Sequence, residues 1–171
     1  MRRLFRFPNP VNEIAARAVA AGVVVQSLAF VFTGWRWLVV PLAFGFVARV
    51  ASGPTFSPLG RVATQVVVPR LRLEARLVPG PPKRFAQGIG AVCLTVASLV
   101  MLGGYPAWSY ALCVVVGAFA ALEATVGFCF GCWAYRQLAA RGLVEPEVCV
   151  DCTRLGAAAT HGGDATPAPT D

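Results

Sequence analysis

Four stretches of the chain run almost unbroken in apolar residues, at about 13–33, 37–51, 86–103 and 108–130. A helix needs about 20 such residues to cross the hydrocarbon core of a bilayer. The second stretch is short for that and the fourth is the longest. Gly34-Trp35-Arg36 joins the first two, and Gly104-Tyr105-Pro106-Ala107 joins the last two. Short links between long helices make antiparallel neighbours. The pattern therefore predicts an all-α integral membrane protein with four transmembrane helices in two hairpins.

The segment between the second and third spans carries its own signal. Ser57-Pro58 is a helix start, a cap followed by Pro in the first turn. Leu59, Val62, Val66 and Val67 follow at helical spacing until Pro69. A short amphipathic helix is expected there, either on the cytoplasmic surface or tucked against the bundle. Residues 1–142 form the expected membrane domain. Residues 143–171 form a cytoplasmic tail, with disorder expected from about 153, where Ala, Thr, Gly, Pro and Asp dominate. His161 lies in that tail and receives no role. Both predicted hairpins have Pro-rich, charged lead-ins, Phe7-Pro8-Asn9-Pro10 and Pro81-Pro82-Lys83-Arg84. That match is too thin to carry a duplicated two-helix unit.

Composition turns this pattern into a class. Hydrophobic residues make up 57% of the 171 and charged residues 13%, whereas soluble domains are nearer one-quarter charged. A disordered chain, a coiled coil and nearly every soluble fold are excluded. The net charge of +7 would suit a nucleic-acid binder, but the apolar bulk would not, so the expected partner is the lipid bilayer. Of the 15 basic residues only Arg36 falls on one side of the predicted bundle. The excess on the other side places both termini and the long loop in the cytoplasm. Trp35, Trp37, Tyr105 and Trp108 crowd the two outer turns, where amphipathic rings prefer to sit. Pro8 to Glu13 interrupts the basic N-terminus and the apolar stretch after it is too long for a secretory signal, so no cleavage is expected.

Six cysteines bring in candidate chemistry. Cys93 and Cys113 fall within spans and read as small apolar packing residues. Cys129 and Cys132 form a Cys-x-x-Cys at the cytoplasmic end of the fourth span, and Cys149 and Cys152 form another in the tail. At a helix C-terminus the macrodipole disfavours a thiolate. A break at Gly131, with a new helix near Trp133, would restore the activating N-terminal geometry. Two chemical readings stand beside the plain one, in which Cys129 and Cys132 merely pack and the tail pair is incidental. The pair Cys129 and Cys132 performs thiol redox or sulfur-transfer chemistry, exchanging with the tail pair or a partner. Alternatively Cys129, Cys132, Cys149 and Cys152 hold zinc, since the spacing fits a four-thiolate site. The helical look of Ala134 to Arg141 counts against the second, because about ten helical residues carry the chain roughly 15 Å away.

Glu123 is the other signal, a carboxylate roughly 10 Å inside the fourth span. Such a charge requires a partner. Arg17 and Arg49, at the same predicted depth, are the expected ones. Around an unbroken helix Glu123 and Cys129 differ by about 240°, so no direct carboxylate–thiol couple is expected. Gln26, Ser27, Thr95 and Ser98 are expected to hydrogen-bond between helices. The spans contain no His, which excludes bis-histidine haem ligation. No nucleotide-binding or hydrolase motif is present.

Phe7-Pro8-Asn9-Pro10-Val11-Asn12-Glu13, then Ser57-Pro58-Leu59-Gly60-Arg61, then Pro79 to Gly90, then Gly127-Phe128-Cys129-Phe130-Gly131-Cys132 occur in this order. Together they resemble the bacterial membrane protein family catalogued as domain of unknown function 4395, over about residues 5 to 140. The resemblance implies a multi-pass protein of the bacterial cytoplasmic (inner) membrane with a Cys-x-x-Cys after the last helix. It implies a thioredoxin-like or sulfurtransferase protein as partner, which favours thiol chemistry over zinc. Only Cys129 and Cys132 match a reactive motif of the family. Cys149 and Cys152 depart from its pattern. Two further readings remain open beside the thiol one. One is a non-enzymatic scaffold with a zinc site. The other is a small-anion transporter component with Arg17, Arg49 and Glu123 lining a path, which needs a homodimer because four helices are few.

Overall fold

A computed structural model describes residues 9–53, 56–71 and 76–144. Seven α-helices and one short two-stranded sheet order the described chain. α1 (Glu13–Thr33) starts where the Asn12 side chain accepts a hydrogen bond from the Ile14 N–H, and Gly34 ends it in the left-handed region at φ 68°. A short 3-10 turn (Arg36–Leu38) leads into α2 (Val39–Ser52). α5 (Gly80–Leu102) and α6 (Pro106–Val126) follow the loop, and α7 (Phe130–Ala140) closes the described fold.

Three helices, α1, α5 and α6, are long and apolar enough to cross a membrane. α2 is shorter, roughly 21 Å of helix against a core of about 30 Å. Apolar side chains are exposed along all four, among them Phe32, Val92, Leu99 and Val126. An outer surface this apolar suits a lipid solvent rather than water.

The expected first hairpin is looser than its short link suggests. α1 packs mainly on α6 and α2 mainly on α5, with little contact between α1 and α2, while α5 also packs on α6 and α7. Phe30, Leu42, Leu94, Val39 and Cys113 fill the core. Cys93 packs against it, partly buried. Small residues set the helix approaches. A Cβ on Gly90 would stand 2.3 Å from the Phe46 ring, and one on Gly22 would stand 2.4 Å from Leu59. The expected interhelical hydrogen bonds do not form. Gln26 and Thr95 face outward, Ser98 donates to Leu94 O of its own helix at 2.8 Å, and buried Ser27 packs on Gly117.

The loop helix begins at the predicted place. Ser57 accepts from the Gly60 N–H at 3.3 Å, and α3 (Pro58–Val62) follows. Its expected apolar face is split: Leu59 turns into the Gly22 notch, while Val62 and Val66 remain exposed. The run does not stop at Pro69. A π-helical turn (Ala63–Val67) precedes it and α4 (Val68–Leu71) continues past it. Widening the ladder just ahead of a residue without an N–H lets the chain pass a proline that would break a regular helix.

The two proline-rich lead-ins are partners of one another. β1 (Val11–Asn12) pairs antiparallel with β2 (Leu77–Val78), in the register Val11 to Val78. Asn9 Oδ1 accepts from the Gly80 N–H at 3.0 Å, and Glu13 Oε2 meets Arg76 Nε at 3.1 Å. These ties bring the starts of α1 and α5 to one end of the bundle, beside the end of α6.

Candidate functional site

The sequence leaves open whether Cys129 and Cys132 end one helix or begin another. They begin one. α6 stops at Val126, and Gly127 takes φ 75° and donates its N–H to Glu123 O at 3.1 Å. Glycine suits this conformation because a Cβ would strain it. The break therefore falls four residues ahead of Gly131. Cys129 is extended and caps α7, its Sγ accepting from the Cys132 N–H at 3.4 Å. The sulfur takes the place that a Ser or Asp oxygen usually holds, at the positive end of the helix dipole.

Gly131 has a packing role instead. A Cβ there would stand 2.5 Å from both Cα and Cβ of Ala86 on α5. Only glycine lets the first turn of α7 close on α5 at that point. Lys83 lies three residues before Ala86 and so on the same helical face. Its ammonium is buried, and it forms an ion pair and hydrogen bond with Glu123 Oε1 of α6.

These neighbours set the thiols apart. Hydrogen bonding from the Cys132 side chain holds the Cys129 thiol below its ordinary range, helped by the Lys83 charge and the Cys132 N–H. Burial and the Glu123 carboxylate oppose that shift. Cys132 is pushed far up, first by the same hydrogen bond, in which it is the donor, and then by burial. The pair thus favours one thiolate, at Cys129, with Cys132 as its protonated donor.

Cys129 faces two spaces. An open cleft of about 780 Å³ is lined by Lys83, Cys129, Cys132, Trp133 and Arg136, with the Glu13–Arg76 pair at its edge. An apolar cavity of about 140 Å³, reaching Cys93 and Phe119, also borders Cys129 and Glu123. Phe130 stacks on Phe119 with ring centres 4.7 Å apart, fixing the first turn of α7 against α6.

The expected partners of Glu123 are corrected. Neither Arg17 nor Arg49 pairs with it; Lys83 does. Arg17 donates from Nε and Nη2 to Ala124 O and from Nη2 to Thr125 O, at 2.6–3.2 Å, satisfying carbonyls at the end of α6. Arg49 donates to Ser57 Oγ at 3.2 Å and lies over the Phe46 ring at 4.3 Å. The sequence pattern starts the third span at 86, whereas α5 starts at Gly80 and so carries Lys83 into the bundle. Pro81-Pro82, in the first turn of that helix, was the available signal. The expected separation of Glu123 from Cys129 is corrected too. The left-handed turn at Gly127 redirects the chain, and both side chains line one cavity.

Cys149 and Cys152 lie outside the described residues, and with them half of the four-cysteine zinc reading. Among the described residues no group of three or more His, Cys, Asp or Glu stands together as a metal site.

Residues 11–140 match the family described as domain of unknown function (DUF4395), and the chain belongs to it. The match spans α1 to α7 and includes Cys129 and Cys132, and it stops before Cys149. No curated protein and no solved structure matches the chain.

Proposed function

We propose that this DUF4395 member is a multi-pass membrane protein that carries out thiol-disulfide exchange or sulfur transfer through Cys129 and Cys132. The observation that carries the reading is the Cys129 sulfur at the start of α7, accepting from the Cys132 N–H, beside the part-buried Lys83–Glu123 pair. The thiolate is the nucleophile in such chemistry, and a helix N-terminus with a nearby cation favours it.

In the exchange step, Cys129 thiolate attacks one sulfur of a partner disulfide. A mixed disulfide forms and the partner's other sulfur leaves as thiolate. Cys132 then gives up its proton, with Glu123 as the nearby base, and attacks the Cys129 sulfur. The Cys129–Cys132 disulfide forms and the partner leaves reduced by two electrons. With a persulfide donor, Cys129 thiolate takes the outer sulfur and the donor leaves as thiolate. A thioredoxin-like or sulfurtransferase protein is the proposed partner, docking at the open cleft onto which Cys129 and Cys132 face.

The proposed setting is the bacterial cytoplasmic membrane. α1, α2, α5 and α6 cross it, with both termini and the loop helix on the cytoplasmic side. The charge asymmetry of the sequence supports that orientation.

The test is trapping. Full-length protein with Cys132→Ser, in detergent, is mixed with an oxidised thioredoxin-like protein and with a persulfide-loaded sulfurtransferase. A covalent adduct or an added sulfur on Cys129, absent from Cys129→Ser, is the expected result. No modification of Cys129 by either donor would overturn the reading.

A further inference from the structure

α1, α2, α5 and α6 line a half-open pocket of about 70 Å³. Its walls are largely small apolar side chains of α1 and α6 and the Phe46 ring. Four polar residues reach it: Arg49, Lys83, Gln87 and Glu123.

Arg49 is 3% exposed, and its Nε has no hydrogen-bond partner. Gln87 Oε1 is also buried without one. The Arg49 guanidinium hydrogen-bonds Ser57 Oγ and lies over Phe46, and the Glu123 carboxylate acts on it through charge without a hydrogen bond. The Glu123 carboxylate is engaged by Lys83, and no carboxylate among the described residues lies within ion-pair distance of Arg49. Two cations and one anion leave a net charge of +1 around a nearly apolar chamber. Buried charge without compensation is costly, the more so among apolar helices.

We propose that this cavity binds a small, weakly hydrated monovalent anion, held by Arg49 with Lys83 beside it. Water would satisfy the Arg49 Nε–H but would leave the charge uncompensated. A monovalent anion satisfies both, and a divalent one overshoots. The largely apolar walls offer little to replace a hydration shell, so an anion that sheds its water readily is favoured. Gln87 can turn its amide to present N–H in place of Oε1, since the two ends of the group are nearly the same shape. The site rests on the burial of Arg49 and not on the thiol chemistry, so either can fail alone.

The experiment is ³⁵Cl NMR on the full-length protein in detergent, with bromide as competitor and empty micelles as blank. Excess line broadening that saturates, and that bromide displaces, is expected. Arg49→Gln should abolish it and Arg61→Gln, on the exposed loop helix, should keep it. Glu123→Gln removes the competing negative charge and should tighten chloride binding at least several-fold. That gain decides the matter if Arg49→Gln fails to fold. No saturable broadening in the unmodified protein would mean water alone in the cavity and overturn the proposal. Broadening that Glu123→Gln leaves unchanged or weakens would overturn it equally.

Discussion

Gly131 of α7 lies so close to Ala86 of α5 that a Cβ at 131 would stand 2.5 Å from both the Cα and the Cβ of Ala86. This contact seats the first turn of α7 and carries Cys132 to the helix face that also holds Lys83. The obstacle is backbone and a methyl group, neither of which can swing aside. Gly131→Ala should destabilise the fold by about 1–3 kcal/mol, the usual cost of overpacking. Ala86→Gly in the same chain should recover part of that loss. Reversible denaturant unfolding in detergent of the two single variants and the double variant checks both statements.

Lys83 and Glu123 act on Cys129 with opposite signs. Lys83→Met removes a cation that favours the thiolate, so the Cys129 pKa should rise. Glu123→Gln removes an anion that disfavours it, so the pKa should fall. Shifts of about one unit each are the scale expected of a neighbouring charge. At a fixed pH just below the midpoint of the unmodified protein, Cys129 alkylation should slow in the first variant and quicken in the second. Shifts in the same direction would mean that the pair acts through packing alone.

Arg17 holds the end of α6 by three hydrogen bonds to two carbonyls. Those carbonyls lack helical partners because Gly127 turns the chain away. Hydrogen bonds from a charged donor stabilise by about 1.5–3 kcal/mol each in favourable cases, and these are partly exposed. Arg17→Ala should cost about 1–2 kcal/mol in unfolding free energy. Arg17→Lys should restore only part, since one ammonium cannot reproduce the fork. A variant as stable as the parent would show that water serves those carbonyls equally well.

Much of the frame was legible in the sequence because it rests on local rules. Apolar length alone gave the extents of α1 and α6 to within a few residues. Ser57-Pro58 announced α3 by its cap, and the first Cys-x-x-Cys was found by spacing. What escaped depends on two turns. A charged lysine beside prolines reads as loop, yet the chain is already helical at Gly80, so the true partner of Glu123 stayed hidden. Gly127 and Gly131 both sit near the cysteines, and nothing local tells which one breaks the helix. The left-handed φ belongs to Gly127, while Gly131 is needed for contact with Ala86, a fact of tertiary packing. The pairing of Val11–Asn12 with Leu77–Val78 is two residues long and non-local, too short to leave a periodic trace.

In the proposed chemistry one sulfur of the pair, Cys129, is held as the thiolate by the other. The direct measurement is the pH dependence of alkylation at each cysteine of the reduced, full-length protein, resolved by mass spectrometry. Cys129 is expected to titrate below the ordinary thiol value of about 8.5 while Cys132 stays unreactive across the neutral range. Cys129 titrating at or above that value, or the two cysteines reacting alike, would contradict it.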